Sequence, residues 1–294
     1  MVKIALNQLN PQSNPRLNFE TMEKTIKHNA ASGARLSLFP EDFLYGIIRD
    51  HDGLRAAAQQ FPDWTREFSA LARKYNIDII PGTLPSSSDG RFYNSTVYIN
   101  NAGKILSQYS KSNLWLSERD EYTSSHHLPE VFTSVVGKTA IIICWDVFYR
   151  QAFEAAIKQG AEWVIVLAFW SINQSDDLRY KRGKASRRYP DISDSKILDN
   201  LLRSRAVEYN CGIIFCNFAG VHTYEGITGK QRAISANRTQ VIDPHYKVYG
   251  RLSNRKEATL LCDVDDIKQS IEDFEIHYGR REDIIMNYPN VQQP

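Results

Sequence analysis

The run Ile141-Ile142-Ile143-Cys144-Trp145-Asp146 constrains this chain more than any other stretch. Three successive β-branched residues favour a strand, and an all-apolar run is one that must be buried. It leads straight into a cysteine, with a bulky aromatic and a carboxylate next. A thiol at the end of a buried strand, where the chain must turn, can point into a cleft at the sheet's edge. Two upstream runs end in the same way. Leu36-Ser37-Leu38-Phe39-Pro40-Glu41 closes on a glutamate, and Ile105-Leu106-Ser107-Gln108-Tyr109-Ser110-Lys111 closes on a lysine. A thiol, a carboxylate and an ammonium at strand ends are the groups that acyl transfer through a thioester requires. Each also has a plain structural reading, as core packing, a loop opening and a solvated strand end.

Strand and helix patterns alternate along the chain. Residues 3–8 read as a strand. Residues 17–31 read as a helix, with Phe19, Met22 and Ile26 at helical spacing, stopping at Gly33. A strand over 36–39, a helix over 63–75 and a strand at 79–83 follow. Residues 93–99 and 104–110 pair across Asn100-Asn101-Ala102-Gly103 as a hairpin. The plan then repeats. The strand ending at Cys144 precedes a helix over 151–159, which stops at Gly160-Ala161 before a strand over 163–168. A helix over 195–209 and strands over 213–217, 233–242 and 259–263 complete the body. This order fits an α/β sandwich, two packed sheets with helices outside. No linker or composition break precedes Asp266, so residues 1–265 read as one domain and 266–294 as a tail. Phe274, Ile276, Tyr278, Ile284, Ile285 and Tyr288 make that tail too apolar to float free, and it is expected to pack across a subunit boundary.

Composition narrows the function classes. A net charge of +2 gives no general attraction to nucleic acid or membranes. The longest apolar run, 163–170, falls far short of a membrane span. The N-terminal strand turns polar at once and is no signal peptide, so a soluble, cytoplasmic protein is expected. Four cysteines in 294 residues do not make a disulfide framework. Cys211 and Cys216 sit on one strand facing opposite sides and cannot share a metal. His126 and His127 belong to no metal-binding spacing and are expected in a surface turn, so no metal is assigned.

Further marks stand in order along the chain: Ala5-Leu6-Asn7-Gln8, Gly33-Ala34 ahead of Phe39-Pro40-Glu41, and Tyr93-Asn94-Ser95-Thr96 before Tyr109-Ser110-Lys111. Cys144-Trp145-Asp146 and Gly160-Ala161 come next. Arg205-Ala206-Val207-Glu208 then precedes Asn217 and Gly220, and Thr239 is followed by Pro244. With these marks the chain resembles the carbon–nitrogen hydrolase (nitrilase-like) superfamily, from Lys3 to about Asp265. The resemblance implies a four-layer αββα sandwich of two mixed β-sheets flanked by helices, and assembly into a homodimer or larger homo-oligomer. It implies Glu41, Lys111 and Cys144 as catalytic residues, with Glu118 as a further glutamate, favoured over Glu121 by its separation from Tyr122. Trp145, Phe169 and Trp170 are expected to line the substrate pocket, though two aromatics ending a strand equally suit a core. No cofactor is expected.

The chemistry is coherent in its own terms. Cys144 would attack an amide-like carbonyl, and Lys111 with a main-chain N–H near Trp145 would hold the oxyanion. Glu41 would pass a proton to the leaving amine and then activate water. Cys144-Trp145-Asp146 with Phe148-Tyr149 looks most like the carbamoyl-amine amidase branch, although Arg150-Gln151 stand where that branch commonly has Pro-Glu. The expected substrate is a small linear amide or N-carbamoyl amine. A nitrile would need the same residues, acyl transfer to an amine would share them, and a non-catalytic scaffold is the rival from outside enzymology. Residues 176–190 hold Arg179, Lys181, Arg182, Lys184, Arg187 and Arg188 with Tyr180 and Tyr189. They read as a solvated loop or dimer contact, a lid recruiting an anionic substrate, or, least favoured, a nucleic-acid contact.

Overall fold

The computed structural model describes residues 2–174, 192–226 and 229–278. In its first half β1 (Lys3–Gln8), α1 (Pro15–Ala31), β2 (Leu36–Leu38), α2 (His51–Gln59), α3 (Phe61–Tyr75) and β3 (Asp78–Ile80) alternate. Three antiparallel strands follow, β4 (Leu84–Ser88), β5 (Arg91–Ile99) and β6 (Ile105–Ser110). The second half runs β7 (Phe132–Ser134), β8 (Gly137–Ile143), α4 (Arg150–Lys158), β9 (Trp163–Ala168), β10 (Ser171–Gln174), α5 (Ile192–Glu208) and β11 (Gly212–Asn217). It closes with β12 (Val221–Gly226), β13 (Gly229–Ser235), β14 (Gln240–Ile242), β15 (Val248–Arg251), β16 (Ala258–Asp263) and α6 (Asp265–Tyr278).

Two mixed sheets stack face to face. One has the order β16-β1-β2-β3-β5-β4 with β6 also on β5; the other is β15-β14-β11-β9-β8-β7. Strands β1, β2 and β3 are parallel, as are β8, β9 and β11, and antiparallel partners flank both sets. Alternation along the strands assigns the layers. Ile141, Trp163, Ile165, Leu167, Ile214 and Cys216 pack between the sheets against Ile4, Leu6, Leu36, Leu38 and Tyr98. Their neighbours Ile142, Val164, Val166, Ile213 and Phe215 face outward, onto Phe153 and Ala156 of α4 and Leu198 and Leu202 of α5. On the far side Phe19, Met22, Ile26 and Phe68 of α1 and α3 cover Ala5, Ile79 and Val97. The molecule is therefore an αββα sandwich. Each buried Ile or Leu in the middle layer contributes roughly 1.5–3 kcal/mol. Tyr98, fully buried there, donates to Asp78 Oδ2 at 2.5 Å and accepts from Val135 N at 3.3 Å, joining the two sheets.

Two readings of the chain need correction. Residues 233–242 are not one strand: Asn237 and Arg238 both have positive φ (58° and 76°), which breaks the run. β13 therefore joins β10 and β12 in a separate three-stranded sheet, while β14 returns to the six-stranded one. The strand at 79–83 stops at Ile80, because Pro81 and Gly82, with φ 84°, turn the chain before β4. The segment 266–294 begins as helix, and Ile267 and Ile271 of α6 lie in the core between the sheets. The rest of that tail, 279–294, and the basic stretch with Arg179 to Arg188 lie outside the described residues.

Candidate active site

Four strand ends meet at one edge of the sandwich. Glu41 lies just beyond β2, Lys111 follows β6, Cys144 follows β8 and Phe169 follows β9. Glu41 and Lys111 thus come from one sheet, Cys144 and Phe169 from the other. Glu41 and Lys111 are each 1% exposed, so neither charge can rely on water. Lys111 Nζ is 2.8 Å from Glu41 Oε1 and 2.8 Å from Glu118 Oε1. Glu118 lies in a 3-10 turn over Ser117–Asp120, and its Oε2 accepts Trp115 N at 2.6 Å. Glu41 is held at two further points, and one of its donors is itself tied back to Lys111. Asn94 Nδ2 donates to Oε1 at 2.9 Å, Phe169 N donates to Oε2 at 2.8 Å, and Lys111 N returns to Asn94 O at 2.8 Å.

Cys144 opens a 3-10 turn over Cys144–Phe148 and is buried, with φ 45°. A left-handed conformation at a non-glycine residue costs about 1–2 kcal/mol, and here the turn is over-determined. Asp146, fully buried, accepts Ile143 N at 3.0 Å, Tyr109 Oη at 2.9 Å, and Asn113 N and Nδ2 at 2.8 Å each. Tyr109 and Asn113 bracket Lys111, so one carboxylate ties the cysteine turn of one sheet to the lysine segment of the other.

Electrostatics follow from the burial. Loss of water pushes the Cys144 thiol well above its ordinary range; the Glu41 charge adds to this, and Lys111 and the Phe169 N–H oppose it. Burial likewise raises Glu41, with Lys111 pulling it back. For Lys111 burial works against the charge, but Glu118 and Glu41 outweigh it and the ammonium is retained. The resting arrangement is a neutral thiol beside a carboxylate more basic than usual, with a fixed cation between two carboxylates. It can deprotonate a nucleophile on demand and receive a developing negative charge.

Trp145 packs in one aromatic cluster with Trp115, Phe148 and Trp170; its ring centroid lies 4.2 Å from those of Trp115 and Phe148 and 5.7 Å from that of Trp170. Phe169 is placed differently. Its ring stacks on Phe218 at 3.8 Å and meets His222 edge-on at 5.5 Å, so its main-chain N–H, not its ring, reaches Glu41. Reading the sequence did not assign roles to Asn94, Asp146 or the Phe169 amide. Only their place inside quoted motifs marked the first two. His126 and His127 are exposed in a loop.

Two supports of this edge give testable consequences. A Cβ on Gly82, whose φ is 84°, would stand 2.1 Å from Pro40 O, directly before Glu41. Gly82→Ala is expected to destabilise the fold by about 2 kcal/mol or more and to cut turnover at least ~10-fold by moving Glu41. Urea midpoints and kcat check this, and leaving both unchanged would refute it. Buried His222 touches Pro11 O with Nδ1 at 3.2 Å and Ile47 N with Nε2 at 3.4 Å. A carbonyl can only accept, so the proton sits on Nδ1 and Nε2 accepts from Ile47. Burial lowers the ring's pKa from 6.5, with Pro11 opposing. Its contribution is then complete above the unfolded value of 6.5 and lost as pH falls through the lower folded value. Tm should drop more between pH 7.5 and 5.5 in the native protein than in His222→Gln, by about 2 °C or more.

Comparison with known proteins agrees with this geometry. The family model described as carbon-nitrogen hydrolase matches residues 3–271. A protein described as hydrolase in agr operon, from Staphylococcus lugdunensis, is 27% identical over 203 residues, 68% of this chain and 75% of that protein. The deaminated glutathione amidase of Bos taurus is 23% identical over 310 residues, 99% of this chain and 84% of the relative. The amidase from Nesterenkonia sp. AN1, solved with the acetamide moiety of fluoroacetamide added at its active-site cysteine, superposes with a TM-score of 0.73. It is 21% identical, and the match covers 98% of this chain and 96% of that one. At that identity the likeness speaks for the fold. The family match spans nearly the whole chain and takes in all four strand ends: the chain belongs to the carbon-nitrogen hydrolase family.

Proposed function

We propose that the protein hydrolyses the C–N bond of a small linear amide or N-carbamoyl amine through a thioester on Cys144. The observation that carries this reading is the Lys111 ammonium held at 2.8 Å by both Glu41 and Glu118, with the Cys144 thiol in the same field. The Cys144 Sγ–H proton passes to Glu41 as sulfur bonds to the carbonyl carbon, and Lys111 balances the oxyanion. The same proton then goes from Glu41 to the leaving nitrogen, the C–N bond breaks, and ammonia or an amine departs. Water next gives a proton to Glu41 and its oxygen to the thioester carbon, and the thiolate leaves and recovers that proton. Glu118 keeps Lys111 charged and in place. The Trp115, Trp145 and Trp170 cluster suits an apolar acyl group. The solved Nesterenkonia amidase, with an acetamide moiety added at its active-site cysteine, supports a reactive cysteine here by analogy.

The test is a panel of aliphatic amides, N-carbamoyl amines and nitriles, read as ammonia or amine release and as intact mass after acid quench. An acyl adduct on Cys144 that decays to product is expected with the amides or carbamoyl amines. Turnover of nitriles alone would replace this reading with nitrile hydrolysis. No turnover and a sluggish thiol toward iodoacetamide would favour a scaffold.

A further inference from the structure

A second polar cluster lies on the opposite flank of the six-stranded sheet, with β11 and β9 between its strands and β8. Arg203 and Asp199 come from α5, Arg238 from the turn before β14, Gln240 from β14 and Arg251 from β15. Two guanidiniums, of Arg238 and Arg251, meet one carboxylate, and a third, of Arg203, adds its charge to theirs. Arg238 Nε donates to both Asp199 oxygens at 3.1 and 2.9 Å, and Arg251 Nη2 approaches Asp199 Oδ1 at 3.2 Å without the alignment of a hydrogen bond. Arg203 lies over the Tyr246 ring at 4.6 Å. Arg238 and Arg203 both press their charge on Arg251, whose pKa is lowered first by burial and then by these two, with Asp199 alone opposing among the described residues.

The donors outnumber the acceptors. Gln240 is fully buried, and its Oε1 accepts Arg251 Nε at 2.7 Å. That contact fixes the amide's orientation, because the flipped amide would oppose two N–H groups, and it leaves Gln240 Nε2 without an acceptor. Arg203 Nε and Arg251 Nη2 are buried atoms without a hydrogen-bond partner as well. Three guanidiniums against one carboxylate leave two positive charges, and three N–H groups await an acceptor. An acceptor-only group with two negative charges satisfies both counts at once. The side chains of Arg238 and Arg251 are only 19% and 23% exposed, so the cluster is recessed and any partner for it must be compact.

We propose that Arg203, Arg251 and Gln240 form a binding site for a small dianionic oxyanion of the phosphate type, with Arg238 kept in place by Asp199. The site is separate from the cysteine site and does not depend on its chemistry. Arginine forks match tetrahedral oxyanions two oxygens at a time, and Gln240 adds a neutral donor beneath.

The test uses the full chain and inorganic phosphate at pH 7.5, with sodium chloride at matched ionic strength and sodium acetate as comparison anions. Phosphate at concentration c is expected to raise Tm in proportion to ln(1 + c/Kd), by about 3 °C at ten times its Kd. Arg203→Gln and Arg251→Gln should each weaken the fitted Kd at least ~10-fold. Asp199→Asn, which removes the competing carboxylate, should tighten it several-fold whatever its baseline Tm. Because each reading is a shift within one variant, a change in baseline stability does not obscure it. Equal phosphate shifts in native protein and Arg203→Gln would overturn the proposal, as would acetate or chloride matching phosphate. An absent phosphate shift accompanied by loss of self-association in Arg203→Gln would also overturn it, and would assign these donors to a carboxylate of a second copy.

Discussion

Cys144→Ala is expected to lower turnover of the best substrate by about 10⁴-fold or more while leaving the fold intact. The thiol is the one group proposed to bond to carbon, and no other cysteine can replace it. Cys211 packs beneath the outer helices and Cys216 between the sheets. The turn itself is held by the four donors on Asp146, none of which involves the thiol. Tm should therefore stay near the native value, and Cys216→Ala should keep its turnover. Steady-state ammonia release and intact mass read the result. A Cys144→Ala enzyme retaining a tenth of native kcat would end the thioester reading.

Lys111→Met is expected to damage activity and stability together. The methionine fills much of the same volume but leaves Glu41 and Glu118 facing each other without their cation. Breaking a buried pair by removing one partner costs about 3–5 kcal/mol, and losing the oxyanion partner costs roughly 10²–10³ in kcat. The pH dependence separates this from simple misfolding. Glu41 already titrates above 4.5 because burial disfavours its charge. A carboxyl whose folded pKa is raised supports the fold fully below its unfolded value, and that support is lost as pH rises through the folded value. Without Lys111 the loss should be larger, so the variant should lie closer to native stability at pH 5 than at pH 8. Urea midpoints at the two pH values decide the matter, and an equal deficit at both would contradict the proposed electrostatics.

Much of this could be read from residues, and the exceptions have physical causes. The strand ends bearing Glu41, Lys111 and Cys144 were legible because a continuous apolar run must be buried, and a polar residue ending it must find a cleft. Glu118 was legible only through the family resemblance. Nothing local announces that a glutamate seven residues on will reach back to Lys111 Nζ. α2 was missed because Leu54, Ala57 and Ala58 are too few to show a helical period. The break between β13 and β14 was hidden because Asn237 and Arg238, not glycines, adopt positive φ there. Phe169 shows a deeper limit. Its residue type pointed to a ring in a pocket, whereas its contact with Glu41 is made by an amide that every residue but proline possesses.

The groups proposed to react are divided between two sheets, and this gives the middle apolar layer a second consequence. Glu41 and Lys111 ride on one sheet, Cys144 and Phe169 on the other, so the thickness of the packing between them is a dimension of the reaction coordinate. Substitutions such as Ile165→Val or Leu38→Ile, well inside that layer and out of reach of any substrate, alter the spacing by fractions of an ångström. Proton transfer from sulfur to carboxylate is sensitive on that scale. Such changes are tolerated by the fold for about 1 kcal/mol, yet they would retune the rate. A family built this way can vary its catalytic efficiency through residues that no inspection of the pocket would pick out.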